Sequence, residues 1–105
     1  MFNPEAPRPK IAAVSIFPLP TLAGLPEIDG YQTKPDDTVL VNGHETDSLT
    51  ENGVYVVKHA DWERLEMKPE TILHVVAGHI YAETDWVQNP KEPNRYMQYA
   101  SSTVF

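Results

Sequence analysis

The sequence contains no cysteine, no long apolar run and no cluster of basic residues. Without cysteine, a disulfide framework and cysteine-based zinc sites are excluded, so packing must stabilise this small domain, either alone or with help from neighbouring subunits. No stretch is typical of a membrane span, and the N-terminus lacks the charged and apolar regions of a signal peptide. Nucleic-acid binding needs clustered Lys and Arg, whereas the 8 basic residues here are dispersed among 15 acidic ones, with a formal net charge of −7. We therefore expect no nucleic-acid partner and no membrane insertion.

The chain has 105 residues, the size of one domain with a small core. Its 10 prolines are scattered along the sequence and oppose long helices. We divide it into a Pro-rich N-terminal arm at residues 1–10, a β-module at residues 11–88 and a tail at residues 89–105 that forms an edge strand or contacts a partner. The arm favours an extended polyproline II conformation, which either stays disordered or docks onto a neighbouring subunit.

Short runs of strand-forming residues separated by turn signals indicate an all-β domain, and no segment has a convincing amphipathic helical stripe. Four consecutive strand formers from Val54 predict a strand that is buried on both faces. Residues 42–50 are polar and acidic and indicate a surface loop. The predicted strand segments are Ile11 to Phe17, Thr38 to Val41, Val54 to His59, Trp62 to Met67, Ile72 to Ala77, Ile80 to Ala82 and Trp86-Val87. Turns are predicted at Asp29-Gly30, Asn42-Gly43 and Ala60-Asp61. We expect a small antiparallel β-sandwich or barrel-like domain with an extended N-terminal arm.

The histidines suggest a metal site only weakly. His44 and Asp47 share a polar loop, but no further ligand lies near them in the sequence. His74 and His79 flank Gly78, and their odd separation places them on opposite faces of a strand unless the glycine shifts the register. We interpret these histidines as solvent-exposed or hydrogen-bonded side chains, and we expect no metal and no cofactor.

Catalytic motifs are absent from the sequence. Asp36 and Asp37 do not have the Asp-x-Asp-x-Asp-Gly spacing of a calcium loop. There is no cysteine nucleophile, no Gly-x-Ser-x-Gly elbow and no phosphate-binding glycine loop. We therefore expect a protein that is not an enzyme.

The aromatic residues of the strands supply most of the large apolar area. We expect Tyr55 and Trp62 to lie in the core, with Arg64 on the same strand face as Trp62. For Trp86 two positions remain open: in the core, or exposed as a platform for a sugar or a protein partner.

One set of residues, from residue 28 to residue 86, combines apolar strand positions with Asp-Gly and Asn-Gly pairs. This set, the module motif, comprises Ile28, Asp29, Gly30, Val39, Val41, Asn52, Gly53, Tyr55, Trp62, Arg64, Gly78 and Trp86. With Leu25, Asp37, Leu40 and Thr84 in the same order, it resembles a β-module of bacteriophage tail-fibre and head-fibre (head-spike) proteins. The motif sets turns and a β core, so it specifies a fold and not an active site.

The resemblance implies a structural component of a phage or phage-like particle: a head-spike or fibre base, a decoration subunit or a tail-fibre adaptor. Such a subunit assembles in the host cytoplasm and is located in the virion, as a homo-oligomer (a trimer or a pentamer) bound to other capsid, spike or tail proteins. The alternative is a carbohydrate-binding or adhesion module that contacts a host glycan. Partner contacts are expected outside the module motif, in the loop at residues 42–50 and at the two ends of the chain. The candidate contact residues at the ends are Phe2, Pro4, Pro7, Pro9, Tyr96, Tyr99 and Phe105.

Overall fold

The computed structural model describes residues 9–68 and 70–99, apart from the side chains of residues 46–48. Of the candidate contact residues, Phe2, Pro4, Pro7 and Phe105 lie outside the described residues. The elements of the described part are short strands and one 3₁₀ helix. They are β1 (Lys10–Ile11), β2 (Ala13–Ser15), β3 (Glu27–Ile28), β4 (Tyr31–Gln32), β5 (Thr38–Val41), the 3₁₀ helix (Thr46–Glu51), β6 (Gly53–Val56), β7 (Glu63–Leu65), β8 (Leu73–Val75), β9 (Thr84–Gln88) and β10 (Tyr96–Gln98).

Two four-stranded sheets form the domain. The outer sheet has the order β1-β8-β9-β10, the central sheet has the order β2-β5-β6-β7, and β3 and β4 form a separate hairpin. Only Ala12 separates β1 from β2, so one extended segment passes from the outer sheet to the central sheet. The predicted all-β fold is confirmed. Two strand pairs, β1 with β8 and β2 with β5, are parallel, because long connections return the chain to the segment at residues 10–15.

The central sheet is buried on both faces. Along β6, Val54 packs between the two sheets, whereas Tyr55 packs on the opposite face, with Val57 just beyond the strand end. Side chains alternate across a strand, so consecutive apolar residues contribute to different cores. The prediction of a strand buried on both faces is therefore confirmed. The second face is covered by the segment that follows β2, through Leu19, Leu22 and Leu25, and by Tyr31 of β4.

Two predicted segments differ from the structure. The predicted strand Ile80 to Ala82 is a loop between β8 and β9, because the N–H groups of Ile80 and Tyr81 donate to the Asp29 carboxylate and not to a neighbouring strand. The loop at residues 42–50 contains most of the 3₁₀ helix Thr46–Glu51, which the sequence pattern did not predict.

The predicted Asn42-Gly43 turn is also wrong, because both residues serve long-range contacts. The Asn42 side chain pairs with the backbone of Tyr96. A Cβ atom at Gly43 would lie 2.2 Å from the carbonyl carbon of Phe17. Glycine is needed here because two backbone segments approach closely.

Candidate functional site

The Asp29-Gly30 pair forms the turn of the β3–β4 hairpin and holds the loop between β8 and β9. The predicted turn is confirmed, and both residues have positive φ angles, 50° and 75°, as type I′ turns require. The Asp29 carboxylate accepts hydrogen bonds from the N–H groups of Ile80 (3.1 Å) and Tyr81 (2.9 Å). The Asp29 carbonyl accepts a further one from the N–H of His79 (2.7 Å).

Two glycines of the module motif allow this contact. A Cβ atom at Gly78 would lie 2.5 Å from Oδ2 of Asp29, and Gly78 has a φ of 111°. A Cβ atom at Gly30 would lie 2.6 Å from the His79 ring. The motif positions at residues 29, 30 and 78 thus belong to one structural contact between two loops.

Two asparagines fasten the C-terminal segment to the central sheet. Asn52 is buried; its Oδ1 accepts from the His44 N–H (2.9 Å), and its Nδ2 donates to the carbonyls of His44 (3.0 Å) and Asn94 (2.8 Å). Asn42 donates to the carbonyl of Tyr96 (2.9 Å) and accepts from its N–H (2.8 Å). The Asn42 side chain therefore takes the place of a strand along the outward edge of β10.

Arg64 lies against the beginning of β6 and forms hydrogen bonds there. Its Nη1 donates to the hydroxyl of Tyr55 (2.9 Å), and its Nη2 donates to the carbonyl of Asn52 (2.7 Å). The guanidinium carbon lies 5.4 Å from the centroid of the Tyr55 ring, within cation–π distance. A Cβ atom at Gly53 would lie 2.8 Å from Nη2, so the guanidinium requires a glycine beneath it. Burial is the main cause that raises the pKa of Tyr55.

Both tryptophans lie in the core. Trp62 is 8% exposed, as expected, and its indole N–H donates to the carbonyl of Gly24 (2.8 Å). Trp86, which sequence reasoning left open, is 5% exposed, packs between the two sheets and donates to Oγ1 of Thr84 (2.9 Å). The remaining apolar motif positions, Ile28, Val39 and Val41, are buried on the other face of the central sheet. Neither tryptophan ring is therefore available to stack on a sugar.

Charged residues cluster on the outward face of the outer sheet. His74 Nδ1 lies 2.7 Å from Asp85 Oδ1, and His74 Nε2 lies 3.7 Å from Glu83 Oε1. Sequence reasoning missed this pair because it depends on the β8–β9 register, which places His74 opposite Asp85. His44 is buried, and its Nε2 accepts a hydrogen bond from the N–H of Leu19 (3.4 Å). Within residues 9–68 and 70–99, no group of three or more His, Cys, Asp or Glu residues is arranged to hold a metal ion.

An ion pair joins the 42–50 loop to the C-terminal segment. Arg95 donates from Nη2 to Glu45 Oε1 (3.0 Å) and from Nη1 to Oε2 (3.3 Å). The hydrogen bond and the charge of Arg95 hold the pKa of Glu45 below its usual range. The sequence analysis predicted that the acidic 42–50 loop contacts a partner. Glu45 of this loop instead contacts Arg95 of the protein's own C-terminal tail.

An open groove of about 1000 Å³ lies beside the edge strand of the outer sheet. We call it the outer groove; Val87 and Met97, paired across β9 and β10, line it together with Tyr99. Val87 is 4% exposed and Met97 is 46% exposed. Further lining residues are Pro90, Pro93, Lys68 and Glu70. The groove is thus mainly apolar, with both signs of charge among its lining.

The described contact candidates differ in their surroundings. Tyr96 is half-buried and packs against the core between the sheets, and burial raises its pKa. Tyr99 lines the outer groove. The carbonyl of Pro9 accepts a hydrogen bond from the N–H of His74 (2.9 Å), so the base of the arm is part of the outer sheet.

The chain matches no protein-family model, no curated protein and no solved structure. No helix within the described ranges is both long enough and apolar enough to cross a membrane.

Proposed function

We propose that this chain is a structural subunit of a phage or phage-like particle, such as a head-spike or fibre base, a capsid decoration subunit or a tail-fibre adaptor. It acts by oligomeric assembly on the particle, without catalysis. One observation carries the proposal. The module motif resembles phage fibre modules in the order of its residues, and those residues form turns, hydrogen bonds within the protein and the apolar cores.

The side chains of the module motif contact the protein itself, which favours a structural role over ligand binding. Ligand sites have polar groups that converge on a cavity. Here the polar motif side chains bond to the protein itself, as Asp29, Asn52 and Arg64 show. In the described part of the chain, no buried side-chain nitrogen or oxygen lacks a hydrogen-bond partner. Function is therefore assigned to the outer surface.

That surface carries the features of a subunit. Small domains bury a limited fraction of their surface and gain stability from neighbours. Large apolar side chains remain exposed in several parts of the fold: Ile16, Phe17, Val76, Ile80 and Met97. Contact with other copies or with other particle proteins would remove these side chains from water.

The carbohydrate-binding alternative has less support. It was motivated by Trp86 as an exposed platform, and that ring is buried. We therefore keep assembly as the proposed function and treat glycan binding as secondary.

Particle fractionation tests the proposal. Particles from cells that produce the chain are purified by density gradient, washed in high salt and analysed by quantitative mass spectrometry. We expect the chain to co-sediment at a fixed ratio to a major capsid or tail protein, because an assembled subunit has a defined copy number. Recovery only in the soluble fraction, with intact particles present, would contradict the proposal.

A further inference from the structure

We propose that β7 of one copy pairs with β7 of a second copy in antiparallel fashion, across a two-fold axis that passes beside Leu65. The two central sheets then join into one continuous sheet. The inference rests on the proposed assembly function and names a surface and a partner for it. It is carried by the open edge of β7, by the order of charges along that edge, and by the direction of its side chains.

β7 is an open edge of the central sheet. It stands last in the order β2-β5-β6-β7, beside β6. The N–H of Trp62 donates to the carbonyl of Leu22 (2.9 Å), which lies outside the sheet. Backbone groups alternate in direction along a strand, so Arg64 and Glu66 direct their N–H and C=O groups to that same outer side. Within residues 9–68 and 70–99, no backbone segment bonds to these groups.

The chain keeps the alternation of a strand beyond Leu65. Leu65 and Met67 are both partly buried and pack against the core between the two sheets. Side chains two positions apart share a face in an extended chain. Glu66 therefore lies on the opposite face together with Arg64, and both of these residues are exposed.

Only one symmetric register pairs opposite charges. Because the outward backbone groups belong to Arg64 and Glu66, two copies can bond with Arg64 opposite Arg64, Glu66 opposite Glu66, or Arg64 opposite Glu66. The first two registers place like charges directly opposite each other, which is destabilising. The third forms the Arg64–Glu66 pair twice, once on each side of the axis, and places Leu65 opposite Leu65. β7 is thus complementary to a second copy of itself.

The charges of β7 also exclude other strands. Exposed charged side chains protect an edge strand against unspecific pairing. Glu63, Arg64 and Glu66 supply them here. A strand that lacks opposite charges at matching positions would leave these side chains unpaired, whereas a second copy pairs two of the three. The charge order therefore selects the partner as well as the register.

Arg64 retains donors for the contact. An arginine has five N–H donors. Its hydrogen bonds to the carbonyls of Thr50 and Asn52 and to the hydroxyl of Tyr55 use three of them. Among the contacts of the described residues, two N–H groups therefore remain for the Glu66 carboxylate of a second copy. Because the same bonds already hold the guanidinium in place, little side-chain freedom is lost on pairing.

A two-fold contact is compatible with the expected trimer or pentamer. A ring is built from heterologous contacts, whereas a two-fold contact uses the same surface on both copies, so it links a copy in one ring to a copy in the next. One short strand from each copy cannot bury the roughly 1,200–2,000 Å² of a stable interface. We therefore expect the pairing to be transient in solution and to persist where copies are crowded on a particle.

Disulfide trapping of full-length variants tests the inference. Because the chain has no cysteine, a single introduced thiol can bond only to a second copy. Leu65→Cys places two thiols directly opposite each other, in a pair without mutual backbone hydrogen bonds, where side chains are closest. Glu66→Cys is the register control, and Ile80→Cys is the collision control because Ile80 is 71% exposed and lies between β8 and β9. The yield of disulfide-linked dimer after mild oxidation is measured on non-reducing gels.

A charge substitution adds a second arm to the experiment. In the Leu65→Cys background, Glu66→Lys places a lysine opposite Arg64 of the second copy. Glu63→Lys is the matched control, because it changes the net charge by the same amount at a position that faces Met67. If the thermal midpoint shows that Leu65→Cys is poorly folded, a mixture of Glu63→Cys and Met67→Cys replaces it, since these positions are opposite each other in the same register.

We expect the dimer yield of Leu65→Cys to exceed those of Glu66→Cys and Ile80→Cys by roughly tenfold, because pairing raises the effective concentration of the thiols. Glu66→Lys should lower this yield by roughly tenfold, because two attractive pairs become repulsive, and Glu63→Lys should not lower it. Equal yields for Leu65→Cys and Ile80→Cys, or a yield that Glu66→Lys leaves unchanged, would overturn the inference. Trapping needs no particle, so failure of particle fractionation would remove the proposed function and leave the pairing of β7 standing.

Discussion

Asp29 illustrates how a single residue connects two loops that are about fifty positions apart. Its backbone adopts the left-handed conformation that the β3–β4 turn requires, and its carboxylate accepts two N–H groups of the β8–β9 connection. The second loop must carry a glycine at residue 78 because any side chain there would collide with this carboxylate. One aspartate and one glycine therefore define the path of two surface loops.

A double-mutant cycle separates this collision from ordinary backbone strain. Gly78 has a φ of 111°, so an alanine there is strained whatever lies beside it, and the contact of its Cβ atom with the Asp29 carboxylate adds a second cost. Asp29→Ala removes the second cost and leaves the first. We expect Gly78→Ala to lower the free energy of unfolding by ~1–3 kcal/mol more in the unaltered chain than in the Asp29→Ala variant. Urea denaturation measures all four proteins, and equal losses in the two backgrounds would contradict the role given to Asp29.

At the scale of elements, the docking of the C-terminal segment depends on side chains of the 42–52 region. Asn42 pairs with Tyr96, Asn52 binds the carbonyl of Asn94, and Glu45 forms an ion pair with Arg95. These contacts hold β10 as the edge of the outer sheet. They also position Met97 and Tyr99, which line the outer groove.

The Glu45 ion pair makes this docking pH-dependent. Because Arg95 holds the pKa of Glu45 below its usual range, the pair stabilises the fold above about pH 4.5, the unperturbed value. The contribution is lost as the pH falls through the lowered pKa of the folded state. We expect a higher thermal midpoint for the unaltered chain than for Glu45→Gln at pH 7, and convergence of the two in acid. A difference that persists or grows below pH 3 would show that the ion pair is not its source.

The elements also show what the sequence could predict. The run from Val54 to Val57 was sufficient to predict a strand buried on both faces, because alternation assigns its residues to different cores. Ile80 to Ala82 was predicted as a strand because local apolar character cannot reveal that a distant carboxylate captures its N–H groups. The position of Trp86 depends on packing of the outer sheet against the central one, so the sequence left it open.

The candidate site could be predicted to the same extent as the fold: features set by local sequence were predicted, whereas features set by long-range contacts were not. The apolar residues of the module motif are buried, and its Asp29, Asn52 and Arg64 form hydrogen bonds within the protein. The His74–Asp85 pair and the outer groove were missed, because both arise from strand register and from side chains brought together across β9 and β10. Long-range pairing of this kind leaves no short sequence pattern.

At the scale of the whole molecule, the sheet order gives the protein two unlike edges. The arm leaves the outer sheet at β1, and the groove lies beside β10. The interior contains two apolar cores. Among the described residues, every buried side-chain nitrogen and oxygen has a hydrogen-bond partner.

The mass of the full-length protein in solution tests the central claim, that this is a subunit acting by oligomeric assembly. Native mass spectrometry and light scattering over a range of concentrations would measure it. We predict one closed species at three or five times the 11.8 kDa mass of a single chain. A mass of 11.8 kDa at every concentration would contradict the account.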